Sequence, residues 1–120
     1  MGVNMDIKQC YQEMGGDYDD ILNRLRNLTL IEKLVKKFET DTSFKELEEG
    51  LKEKDIEKAF RAAHTLKGVC LNLGFKQLTT DSINITEILR AGSFENTEKL
   101  FEKLKQEYNH TIEVIKKLDN

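Results

Sequence analysis

At 120 residues, 34% of them charged and none proline, with Leu, Ile, Lys and Glu recurring throughout, the chain suits one soluble all-α domain. A sandwich or barrel would need many turns and β-branched runs. Net charge is −3 with acidic and basic residues interleaved, and no apolar run reaches bilayer length, so neither nucleic acid nor a membrane is an expected partner.

In chain order, a short helical piece is predicted over Asp6 to Met14. After the Gly15-Gly16 break, a second runs from Asp17, a candidate cap, to Leu25. Thr29-Leu30-Ile31-Glu32 has the capping-box spacing, and Leu28, Ile31, Leu34, Val35 and Phe38 recur at helical intervals, predicting a helix over Thr29 to Thr40. Ser43-Phe44-Lys45-Glu46 repeats that signal, with Phe44, Leu47 and Leu51 as an apolar stripe to near Lys54. Gly50 weakens this helix by about 1 kcal/mol relative to alanine.

Asp55 can cap the next helix, Glu57 suits its first turn, and Gly74 stops it after Leu73. Beyond it, Phe75, Leu78, Ser82, Ile85 and Leu89 share one face, and Gly92 closes the segment. The last helix begins near Ser93 or Asn96. Its seam is Leu100, Phe101, Leu104, Tyr108, Thr111, Ile112, Ile115 and Leu118. Long amphipathic helices with short connections predict an antiparallel four-helix bundle over residues 29–120, preceded by an extension of short helices over residues 1–28.

Met1 to Asp6 contain no apolar signal core, and Asp6 stands where a myristoylation signal opened by Gly2 would need Ser or Thr, so a cytoplasmic protein is expected. Cys10 and Cys70 lack metal-ligand spacing and read as small buried apolar residues.

One segment breaks the pattern. In Ala63-His64-Thr65-Leu66-Lys67-Gly68 a lone histidine and a mid-helix glycine share a helix that contains no turn residues. On a wheel of about 100° per residue, Ile56, Ala59, Ala63, Leu66, Cys70 and Leu73 fall opposite His64, which therefore faces solvent. Phe60, Arg61, Lys67, Gly68 and Leu71 share its side. Gly68, one turn on, leaves the ring edge open to a bulky group. Lys67 and Arg61 favour negative charge near the ring, and Phe60 and Leu71 offer an apolar rim for a docking protein. Phe38 and Phe75 fit that rim and the core equally. A neutral imidazole nitrogen can attack phosphorus without a general base, and Lys67 could meet the anionic oxygens of the product.

Ala63-His64-x-Leu66-Lys67-Gly68 followed by Asn72-Leu73-Gly74 resembles the signature of the histidine-containing phosphotransfer (HPt) domain of multistep phosphorelays, with no departure at those positions. Leu78, Ser82, Glu87 and Arg90-Ala91-Gly92 also sit where that family has its next helix and closing turn. The resemblance implies a four-helix bundle presenting His64 as phosphoryl acceptor and donor, Lys67 neutralising the phosphoryl group and Gly68 giving it room. It implies receiver domains of response regulators as partners, with a hybrid sensor kinase as a further one. It also implies a monomer that is a carrier rather than an enzyme, and that binds no cofactor or metal itself; the receiver brings the aspartate, Mg²⁺ and most catalytic groups. The helices before Thr29 exceed the minimal family pattern; they could cover one end of the bundle or steer partner choice.

Three rivals remain. A di-iron bundle would need Glu three residues before an inward His64, where this chain has Arg61. A histidine kinase would need a nucleotide-binding domain that the chain has no length to build. A helical binding module with His64 idle would keep its function in His64→Gln. His110, opposite its helix's seam and beside Glu107 and Glu113, reads as a solvated surface residue.

Overall fold

The computed structural model describes residues 4–118; the Gly2 reading lies outside them. Among the described residues seven α-helices follow one another: α1 (Ile7–Met14), α2 (Tyr18–Leu25), α3 (Leu28–Lys37), α4 (Ser43–Glu53), α5 (Ile56–Leu73), α6 (Lys76–Arg90) and α7 (Thr97–Lys116), with a 3-10 turn Phe38–Thr40 after α3. The protein is an all-α helical bundle, as the sequence predicts. No strand forms among the described residues, and a lone bridge joins Met5 to Leu118. No helix of the described residues is long and apolar enough to cross a membrane.

Local chemistry sets most helix ends. The Asp17 carboxylate accepts the Asp20 amide at 3.1 Å and Asp55 that of Lys58 at 3.1 Å, each satisfying an orphan donor of the first turn. Gly74, at φ +73°, closes α5 in the left-handed conformation that glycine adopts without steric cost. At two sites the expected capping box does not form. Helix α3 starts one residue early because Arg26, at φ +53°, turns the chain so that Asn27 caps, its side chain accepting the Leu30 amide at 3.0 Å. Thr29 therefore lies inside the first turn. At α4 the Asp41 carboxylate takes the Ser43 amide at 2.9 Å, and Ser43 is itself buried in the helix rather than capping it. The reciprocal box occurs instead at α1, between Asp6 and Gln9.

The core runs through every helix. Helix α5 is central, packed chiefly on α4 and α6, with α7 against α6. A chain of aromatic contacts crosses the interior from Tyr11 to Phe75, Phe38, Tyr108 and Phe44, with centroid separations of 5.9, 5.3, 5.7 and 4.0 Å. Phe38 and Phe75 are thus core residues, not rim. Gly50 lies where α4 crosses α5: a Cβ there would stand 2.7 Å from the Ala59 nitrogen and 2.9 Å from its Cα. Close helix approach, rather than weak propensity, accounts for that glycine.

Helices α1 and α2 share this core through Ile7, Cys10, Tyr11, Met14 and Ile21. They also satisfy the last carbonyls of α5. Tyr11 Oη donates to Leu73 O at 2.6 Å, the Asp17 amide to Gly74 O at 2.8 Å, and Arg24 Nη2 to Asn72 O at 2.9 Å. Burial pushes the Tyr11 phenol well above its usual range. Cys10 and Cys70 are buried and unbridged, and burial pushes the Cys70 thiol up to about 12.

Candidate functional site

Helix α5 has two faces of opposite character. Ala59, Ala62, Ala63, Leu66, Cys70 and Leu73 are buried, mostly small residues that let α4 and α6 approach. The opposite face carries His64 and Arg61, both exposed, and Leu71, which is 61% exposed. Lys67 and Gly68 are half-exposed beside them. The ring therefore points where the wheel places it.

The surroundings of His64 are open on one side and braced on the other. A Cβ built on Gly68 would meet no atom within 4 Å, so nothing in the fold requires glycine there, and the space beside the imidazole is free. Lys67 forms no ion pair among the described residues, whereas Arg61 reaches Glu57 at 3.8 Å in a fully solvated contact worth little. Phe60 departs from the expectation of an exposed rim residue. It is half-buried against the core, its ring stacks beside His64 with centroids 5.9 Å apart and planes at 15°, and Arg90 of α6 lies 5.0 Å from its centroid. Arg90 could be placed in a turn from sequence but not against Phe60, because the two are 30 residues apart and meet only when α5 and α6 pack.

Three hollows border α5 without including His64: one of about 330 Å³ beside Arg61 and Thr65, one of about 600 Å³ beside Val69 and Asn72, and one of about 400 Å³ beside Phe60 and Arg90. The imidazole is exposed to solvent on the outward face of α5, outside these hollows. Such a site suits reaction with a group presented by another macromolecule better than capture of a small substrate. Among the described residues no three His, Cys, Asp or Glu side chains gather to hold a metal ion.

The second histidine is different. His110 is half-buried rather than solvated, with Nε2 3.1 Å from the Glu13 carbonyl oxygen, because α1 packs on α7 and brings that carbonyl to it. Burial pushes the neighbouring Glu107 carboxyl up, the nearby Asp81 adds to the rise, and His110 opposes it. The apolar pattern of α6 gives no sign of the Asp81 carboxylate. That carboxylate is buried, accepts from Gln77 Nε2 at 3.0 Å and pairs with Lys103 at 3.5 Å; Gln77, four residues before it, is the available signal.

The family model for the Hpt domain matches residues 30–113. No curated protein and no solved structure matches the chain. The matched stretch runs from α3 through most of α7, the helices that build α5 into the bundle and expose its His64 face, and the chain therefore belongs to the Hpt-domain family.

Proposed function

We propose that this protein carries phosphoryl groups between aspartates of receiver domains in a phosphorelay, with His64 as the covalent site. The reading rests on one observation: an exposed imidazole with unfilled space at Gly68 and an unpaired ammonium at Lys67 on the same helix face. A lone pair on a ring nitrogen attacks phosphorus of the receiver's aspartyl phosphate. The N–P bond forms as the P–O bond to aspartate breaks, and the carboxylate leaves with the bonding pair. The proton on the other ring nitrogen stays in place. Reversal passes the group to a second receiver.

Lys67 offsets the charge of the phosphoryl oxygens, and Gly68 leaves room for them. Leu71, Arg61 and the exposed edge of Phe60 form the docking rim. The receiver supplies the aspartate and, on this reading, Mg²⁺; this chain supplies a positioned imidazole and acts as a carrier, monomeric and cytoplasmic, rather than an enzyme.

The test uses a panel of receiver domains charged with acetyl phosphate and Mg²⁺, mixed with the full chain. Acid-labile, alkali-stable label is expected on the parent and absent from His64→Gln. Label that survives His64→Gln, or no transfer from any receiver, would overturn the proposal, the latter in favour of a binding module with an idle histidine.

A further inference from the structure

We infer that Arg90, the last residue of α6, is a positioning residue for His64, acting through the Phe60 ring. This role deepens the phosphoryl-carrier reading and rests on it only for its effect on rate. Phe60 precedes His64 by one helical turn, so the two side chains meet on the outward face of α5. Their rings are 5.9 Å apart and within 15° of parallel, inside the range of an offset stack. The Arg90 guanidinium carbon lies 5.0 Å from the Phe60 centroid, a cation–π contact, and Glu87 Oε2 holds Arg90 Nε at 3.2 Å. Glu87 and Arg90 of α6 thus brace a ring of α5, and that ring braces the imidazole.

An exposed histidine otherwise samples several χ1 wells, whereas transfer requires a ring nitrogen in line with the breaking P–O bond of a docked partner. Confining the ring raises the fraction of encounters that are productive. Losing a contact of this class should slow transfer about threefold to fivefold.

The experiment compares the parent with Arg90→Gln, Arg90→Lys and Phe60→Leu in the full chain. Proton NMR of the His64 ring reads the stack directly. Phe60→Leu should abolish the ring-current shift of the His64 protons, Arg90→Gln should shrink it, and Arg90→Lys should restore most of it. Transfer from an acetyl-phosphate-charged receiver should fall about threefold to fivefold in kcat for Arg90→Gln, with KM for the receiver unchanged. Phosphoramidate labels a histidine by forming the N–P bond as its own P–N bond breaks and ammonia departs. It approaches any rotamer, so its labelling of Arg90→Gln should match the parent. His64 proton shifts unaltered by Arg90→Gln, or receiver transfer at the parental rate, would overturn the inference. A parent unlabelled by any receiver would instead overturn the carrier reading and with it the rate effect, while the proton shifts still decide the brace.

Discussion

Gly50 and Gly68 both lie inside helices, and by propensity alone each costs about 1 kcal/mol against alanine. Gly50 is buried at the crossing of α4 and α5, where a Cβ would stand 2.7 Å from backbone of the neighbouring helix. Gly68 is on the outward face of α5, where a Cβ would touch nothing. The first glycine is explained by packing, since a side chain would push two core helices apart. The second is not needed by the fold at all, and on the proposed function it leaves room for the phosphoryl group beside His64. A residue that folding does not require, beside an exposed imidazole and an unpaired lysine, supports the proposed carrier role of this face more strongly than exposure alone.

The contrast can be broken by making one substitution at both positions. Gly50→Ala should have the largest effect, lowering stability by about 2 kcal/mol despite the gain in helix propensity, because backbone atoms of Ala59 cannot move aside cheaply. Thermal unfolding should show a fall of about 8 °C; an unchanged or higher Tm would mean that the helices separate easily. Next comes Gly68→Gln, whose long side chain enters the space beside His64. Receiver-dependent transfer should drop at least about tenfold while the circular dichroism spectrum stays parental, and normal transfer would remove the clearance argument. The smallest effect sharpens the sign of the comparison: Gly68→Ala should raise stability by about 1 kcal/mol, read as a Tm gain of about 4 °C. A loss there would show that the glycine serves the fold after all.

Much of this was legible in the sequence for reasons that can be named. The outward angle of His64 and the inward stripe of Ala59, Ala63, Leu66, Cys70 and Leu73 follow from helical periodicity. Asp17, Asp55 and Gly74 were readable as caps because a short polar side chain or a bare Cα acts on amides and carbonyls within a few residues. The misread starts of α3 and α4 show the limit. Thr29 and Ser43 have the right spacing to Glu32 and Glu46, yet Asn27 and Asp41 reach the free amides first because of how the preceding chain arrives. The solvated position expected for His110 differs from its half-buried one because its partner, the Glu13 carbonyl, is 97 positions away.

By itself the sequence determined an all-α chain, the order of its helices and the face of α5 that carries His64, because periodicity and capping operate within one or two helical turns. Only the tertiary structure decided that Gly50 is crowded while Gly68 is free, that Tyr11, Asp17 and Arg24 satisfy the last carbonyls of α5, and that Arg90 rests on Phe60. Each of these is a distance between residues remote along the chain. Such distances come into being only when whole helices settle against one another, and no local pattern contains them.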